Sequence, residues 1–472
     1  MASWANSAGR DLHLDLRHIV RPGAHGVRDL LITALRDAVR SRRLAPGTML
    51  PPSRSLAADL GLARNTVAEA YAELVAEGWL ASRQGSGTWV VDNGRQPLPV
   101  RPRGTAGAPA HNLMPGTPDV SAFPRGQWLA STRRALTAAP TAALGVGDPR
   151  GRPELREALA EYLSRARGVR TSAETVLICA GVRHGVELMA RVFKGKRPLA
   201  VEAYGLFLFR DAIEALGIDT APIRVDEKGV LVTDLDDIDT PAALITPAHQ
   251  YPSGVPLHPS RRAALLEWAR RTGAYVLEDD YDGEFRYDRQ PIGALQGLDP
   301  NRVVYLGSTS KSLSPALRLG WMALPADLVD DVIAAAGGQQ FYVNGIDQLT
   351  MADFLTRGQY DRHIRRMRLR YRRRRDVLVD ALADFNIEIS GLPAGLHLLL
   401  HPPDGMEAEV LRRAAESGVA LAGMSRLRHP HTPRESPHRD GIVINFGAPT
   451  ERAFARAVNA LHRVLSASGL AG

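Results

Sequence analysis

The sequence predicts a chain of two unlike domains, a small α+β unit followed by a larger α/β unit with a mostly parallel sheet covered on both faces. Three observations lead there. At 472 residues the chain exceeds what one hydrophobic core usually covers. The first 92 residues hold short helix-like stretches punctuated by glycine and closed by a hairpin-like segment, whereas strand-like and helix-like stretches alternate beyond residue 112. Between them, Asn93 to Pro109 is rich in proline, glycine and arginine, a composition that excludes regular structure and keeps a linker extended. The expected boundaries are 1–92, 93–111 and 112–472.

In the first unit, Arg28 to Arg43 places Leu30, Leu31, Ala34, Leu35, Ala38 and Val39 at helical spacing, and Leu44-Ala45-Pro46-Gly47 breaks the pattern. Ser53 is an N-cap candidate for a helix from Arg54 to Leu60. Gly61 closes it, and Arg64-Asn65-Thr66-Val67 opens another that reaches about Glu77. Two short helices joined by a glycine-containing turn make a helix-turn-helix, whose second helix enters the DNA major groove by its N-terminal end. Trp79 to Val91 then forms a wing.

This segment resembles the GntR winged helix. The resemblance implies DNA contacts from Ser53, Arg54, Arg64, Asn65 and Thr66 on the two helices, and from Arg83, Gln84, Gly85 and Ser86 at the wing tip. The chemistry agrees, because Arg and Asn bond bidentately to guanine and adenine edges and a glycine-rich tip approaches the backbone closely. Ala63 departs from the family's usual Ser or Thr, which removes one backbone contact.

In the second unit, Lys311 sits in Gly307-Ser308-Thr309-Ser310-Lys311-Ser312, after the apolar run Val303 to Leu306. The chain has four lysines against 55 arginines, so a lysine here points to what arginine cannot do: lose its proton and form a Schiff base with an aldehyde. Ser308, Ser310 and Arg318 suit a phosphate, and the set describes a pyridoxal phosphate (PLP) site. Upstream, the strand-like Tyr275-Val276-Leu277 runs into Glu278-Asp279-Asp280-Tyr281, where Asp279 could pair with the pyridine nitrogen and Tyr281 donate to the ring's phenolic oxygen. A third motif, Thr246 to Gly254 with Tyr251 inside His-Gln-Tyr-Pro-Ser-Gly, follows the strand Ala243-Leu244-Ile245.

In order and spacing these motifs resemble the fold-type I aminotransferases over roughly residues 112 to 465. Read with the head, the chain resembles a MocR/GabR-type regulator of the GntR superfamily. By that resemblance Gly181, Val182 and Arg183, between the strand Val176 to Cys179 and a helix expected from Gly185, hold the cofactor phosphate through backbone N–H groups. Gly147 to Gly151 lies near a dimer seam, and a small domain begins at about Tyr371. Three departures concern the ring and the substrate. Leu206 replaces the Tyr that stacks on the pyridine, with Tyr204 or Leu206 itself left to cover it; Val146 replaces a Tyr that reaches the partner's phosphate; and Gly441 to Gly447 lacks the arginine that binds a substrate carboxylate, Arg434 and Arg439 being out of register.

A formal charge of +8 favours a polyanionic partner, but the first 92 residues contribute 11 arginines against 9 acids, so the DNA argument rests on the motif. The nearly unbroken basic run Arg362 to Arg375 is either a second phosphate contact or a helix whose arginines pair with acidic neighbours. The lone Cys179 reads as a small buried hydrophobe. No metal motif, export signal or long apolar run is visible, so a cytoplasmic protein is expected. The leading reading is a homodimeric, PLP-dependent transcriptional regulator that binds double-stranded operator DNA and senses an amine, an amino acid or PLP itself, with weak or vestigial transamination. An active aminotransferase carrying a DNA-binding head is the alternative, and a cofactor-free dimerisation scaffold a third reading.

Overall fold

The computed structural model describes residues 26–83, 85–92, 109–195, 197–287, 292–338, 343–433 and 439–471, with the backbone of 6–7 and 10–11. The expected linker lies outside the described residues except at Pro109 to His111, the last of which already belongs to a strand, and Gln84 and Arg434 lie outside them too. The chain divides into two compact units, 1–107 and 108–472.

In the first unit, helices α1 (Val27–Arg40), α2 (Ser53–Leu60) and α3 (Arg64–Ala76) bury Leu31, Leu35, Leu56, Val67 and Leu74 in one core. Strands β1 (Met49–Leu50), β2 (Leu80–Arg83) and β3 (Gly87–Val90) form an antiparallel sheet with β3 central. Arg36 reaches from α1 to Glu77 with Nη2–Oε1 at 2.6 Å. One expectation is corrected: Ser53 is the first helical residue rather than the N-cap. Pro52 takes the cap position, its carbonyl accepting the N–H groups of Ser55 and Leu56. Helix α1 also ends three residues early, where the Ser41 hydroxyl donates back to the Asp37 carbonyl at 2.6 Å and Arg42 turns to φ 56°.

The second unit is built on seven strands: β4 (Val176–Cys179), β5 (Leu199–Glu202), β6 (Thr220–Ile223), β7 (Ala242–Ile245), β8 (Tyr275–Asp279), β9 (Val303–Ser308) and β10 (Gly320–Ala323). Their order is β4-β10-β9-β8-β7-β5-β6, parallel throughout except that β10 runs against both neighbours. Both faces are covered, which is why the strands are mostly apolar, as Val176 to Cys179 and Ala242 to Ile245 are throughout. On one face Leu177, Cys179, Leu277 and Leu306 pack against α6 (Val182–Val192). On the other, Val276 and Val303 meet α8 (Pro259–Thr272), while Ile178, Tyr305 and Trp321 share a core with α5 (Pro153–Arg167), α10 (Gly345–Thr356) and α11 (Gln359–Ala381). Cys179 is fully buried, and burial pushes its thiol up to about 12. The remaining helices of this region are α4 (Arg125–Ala138), α7 (Phe207–Glu214) and α9 (Val329–Ala335).

The smaller domain was expected from about Tyr371, which lies buried in mid-α11. Its antiparallel sheet comprises β11 (Glu388–Ser390), β12 (His397–His401), β13 (Ala422–Gly423) and β14 (Ile442–Asn445), flanked by α12 (Glu407–Glu416) and α13 (Glu451–Ala467). His111–Asn112 pairs in parallel with Val419–Ala420, so the start of the unit is stitched to its end.

The basic run resolves within α11. Arg368 donates twice to the Glu284 carbonyl at 2.9 and 2.7 Å, and the buried Arg374 bonds Asp119 at 3.0 Å and Glu451 at 2.9 Å. Arg370 and Arg373 join the same two acids. Arg365 and Arg372 stay exposed and make no ion pair among the described residues. No described helix is long and apolar enough to cross a membrane.

Candidate functional site

Parallel strands present their carboxyl ends at one edge of a sheet, where α/β folds bind ligands. Here β4, β5, β7, β8 and β9 end around a cavity of about 400 Å³. Register decides who meets there: Asp279 pairs across to Leu306, Ser308 to Gly320 and Gly320 to Cys179, so three distant turns converge. Gly307 is required in this arrangement, since a Cβ would lie 2.4 Å from the Trp321 indole nitrogen.

Asp279 ends β8, is 4% exposed, and its Oδ1 has no hydrogen-bond partner. Burial drives its carboxyl well above the usual range, with Lys311 opposing the shift. Lys311 lies in the turn after β9, and its Nζ donates to the Gly116 carbonyl at 2.7 Å. Burial lowers its pKa, with Asp279 and Asp282 pulling the other way. Burial thus works against charging either group.

A second end of the cavity is rich in donors. Gly181 adopts φ 95°, ψ 168°, a region essentially restricted to glycine. That geometry starts α6 at Val182, three residues before the expected Gly185, with the Gly185 N–H making a helical bond to the Gly181 carbonyl at 3.2 Å. Val182 and Arg183 therefore occupy the first turn, where backbone N–H groups lack helical partners. The Arg183 side chain turns to Glu187 at 3.0 Å, leaving its backbone as the group offered. Ser308, Ser310 and Arg318 line the same cavity. Arg318 sits at φ 49°, and its exposed guanidinium makes no ion pair among the described residues.

Tyr281 and Tyr251 line the cavity edge-on to one another, ring centroids 5.9 Å apart. The Tyr281 hydroxyl contacts His249 Nδ1 at 3.0 Å, and the same nitrogen meets Asp282 Oδ2 at 2.9 Å. All ten cofactor residues expected from the sequence thus line one space. Sequence reasoning missed His397, pushed down to about 4 by burial and set edge-on to Tyr251 with ring centroids 5.2 Å apart, and Arg426. Both come from the smaller domain and belong to no local motif. Of the two residues considered for the ring face, Leu206 lines the cavity, whereas Tyr204 packs against the cluster of Leu399, Met424 and Val443. Strand β14 bears Val443 and Asn445 on its cavity side, and Arg439 pairs with Glu388 at its Nη1, 3.2 Å away.

These residues fit PLP. A protonated pyridine nitrogen would complete the orphaned Asp279 oxygen, an aldehyde the amine, and a phosphate the donor-rich end. Comparison with known proteins agrees at the level of fold. Residues 121–436 match the family "Aminotransferase class I and II", a PLP-dependent fold, and residues 29–90 match "Bacterial regulatory proteins, gntR family". Kynurenine aminotransferase from Pyrococcus horikoshii superposes with a TM-score of 0.68 at 24% identity, covering 77% of this chain and 92% of that one. The "Probable rhizopine catabolism regulatory protein MocR" of Rhizobium meliloti is 31% identical over 91% of this chain and 92% of its own length. The pyridoxine biosynthesis transcriptional regulator PdxR of Corynebacterium glutamicum is 32% identical over 89% and 92%.

The chain belongs to the MocR-type transcriptional regulators. In such a regulator the head is a DNA-binding GntR domain. Arg54, Arg64 and Asn65 are exposed on α2 and α3, Ser53 and Thr66 half-buried, and Arg83, Gly85 and Ser86 exposed at the wing. Neither Arg54 nor Arg64 makes an ion pair among the described residues. Ala63 caps α3 without any side-chain hydrogen bond, as the departure from Ser or Thr implies.

Proposed function

We propose that this MocR-type regulator holds PLP on Lys311 and that an amine, an amino acid or PLP itself shifts its affinity for operator DNA. The buried, unpartnered Asp279 oxygen facing the cavity of Lys311 is the observation that carries this reading. When bound, PLP supplies an aldehyde and an electron-withdrawing ring. Lys311, its pKa lowered by burial, is the covalent anchor. Asp279 keeps a proton on the pyridine nitrogen, and Tyr281 faces the phenolic oxygen. The N–H groups of Val182 and Arg183, with Ser308, Ser310 and Arg318, bind the phosphate. The absence of an arginine on β14 favours sensing over turnover, because a substrate must be held in reacting geometry for rapid catalysis.

In the same reading the head contacts bases and phosphates through Ser53, Arg54, Arg64, Asn65, Thr66, Arg83, Gln84, Gly85 and Ser86. The protein acts in the cytoplasm as a homodimer on paired half-sites. Leu129, Leu144 and Val146, 63%, 60% and 77% exposed on α4 and the segment after it, support a second copy as their cover. Borohydride treatment of PLP-loaded protein followed by peptide mapping tests the proposal. Label on Lys311 is expected; a protein that takes up no PLP, or label on Lys194, Lys196 or Lys228, overturns it.

A further inference from the structure

We propose that Arg426 anchors the carboxylate of a small amino acid effector, an inference that rests on the PLP reading of the same cavity. Five cationic side chains line that space: Arg183, Arg210, Lys311, Arg318 and Arg426. Four are engaged or assigned. Arg183 pairs with Glu187, and Arg210 reaches the Arg428 carbonyl at 3.4 Å and Asp211 at 3.3 Å. Lys311 and Arg318 belong to the cofactor's aldehyde and phosphate ends. Arg426 alone is left, with no hydrogen bond or ion pair from its side chain among the described residues.

Its position is nevertheless defined. The guanidinium carbon lies 4.5 Å from the centroid of Phe207, which holds the planar fork by cation–π attraction. Leu206, Leu396 and Leu427 line the same cavity, to which the exposed Arg426 side chain is open. A guanidinium fixed against a ring and lacking an acid matches a planar carboxylate by two parallel hydrogen bonds. The strand on which aminotransferases carry such an arginine here offers Val443 and Asn445, so Arg426, reaching from the turn after β13, supplies the charge from another direction. The ligand class that follows is an amine, for the Lys311 end, joined through a short apolar spacer to a carboxylate.

The test uses full-length, PLP-loaded protein titrated with matched probes, each amino acid beside the amine lacking its carboxylate: alanine with ethylamine, β-alanine with ethylamine, 4-aminobutanoate with propylamine. Change in the cofactor absorbance band reports binding. At least one amino acid is expected to bind ten-fold or more tightly than its amine, Arg426→Gln to abolish that ratio, and Arg426→Lys to retain part of it. An intact ratio in Arg426→Gln, equal binding of acid and amine, or no response to any probe overturns the inference while leaving PLP binding standing. Loss of PLP itself from Arg426→Gln would assign the arginine to the phosphate and overturn it too. A wild-type protein that stays colourless with added PLP removes the cofactor reading, and this inference with it.

Discussion

Lys311 Nζ and the Gly116 carbonyl oxygen lie 2.7 Å apart, a contact spanning 195 positions of sequence. The strap that supplies this carbonyl is itself held by Asn445, whose Nδ2 donates to the carbonyls of Met114 at 3.0 Å and Thr117 at 2.8 Å. A residue of the smaller domain therefore positions the partner of the reactive amine. Asn445→Ala leaves those two carbonyls without their donor, at a cost of about 1–3 kcal/mol. The expected result is a lower melting temperature together with faster loss of PLP on dialysis. Unchanged PLP retention would show that the strap does not matter to the cofactor.

Asp279 separates function from stability. Its carboxyl is buried and driven upward chiefly by desolvation, so Asp279→Asn relieves a burial cost in the apo-protein while removing the pairing offered to a pyridine nitrogen. The apo-form is expected to melt no lower than wild type, and PLP affinity to fall ten-fold or more, in line with about 1.5–3 kcal/mol for a hydrogen bond to a charged group. Differential scanning with and without PLP checks both halves.

Which of these features could be read from the sequence depends on how local their causes are. Lys311, Asp279, Ser308, Tyr251 and Gly181 occupy strand-to-turn junctions, and a junction is written in consecutive residues. The parallel sheet was legible for a related reason, since strands buried on both faces are mostly apolar, as Val176 to Cys179 are throughout. What escaped was set by distant partners. That arginines of the basic run pair with acids was one of its two readings, but that Asp119 and Glu451 bury Arg374 in doing so was not legible. His397 and Arg426 reach the cavity only because the smaller domain folds over it. The start of α6 was misplaced because Gly-Val-Arg-His reads as a turn until the backbone of Gly181 is known.

Arg64 opens α3, exposed and free of ion pairs among the described residues. Arg64→Ala therefore has little folding cost, within about 0.5 kcal/mol for a surface change of this kind. At the cognate operator it is expected to lose about 1–3 kcal/mol, with a smaller loss on random DNA, as for a bidentate base contact. Equal losses on both in a gel-shift titration would reassign Arg64 to the phosphate backbone.

Glu284 gives the pH dependence a sign. Its Oε1 faces the hydroxyls of Tyr162 at 3.4 Å and Tyr360 at 3.3 Å, and burial together with Asp280 pushes its carboxyl up to about 7. The folded state thus binds a proton that the unfolded chain, with an ordinary carboxylate near 4.5, releases earlier. The stability this contributes is full below the unfolded value and lost as pH rises through about 7. Whole-protein melting hides the effect, because His363, His397 and His429 are pushed down to about 4 by burial and lose stability in the opposite direction, on acidification below the ordinary histidine range. Comparing variants isolates it. Glu284→Gln keeps the shape and the neutral charge, so its melting temperature relative to wild type is expected to climb between pH 5 and pH 8, a window of about three units around the shifted value. Because Tyr360 also donates to the Ser312 hydroxyl at 2.8 Å, beside Lys311, PLP uptake measured across the same range reports whether ionisation of Glu284 reaches the cofactor end of the cavity. A flat difference in melting temperature from pH 5 to pH 8 would mean that Glu284 ionises in the folded protein as readily as in the unfolded chain.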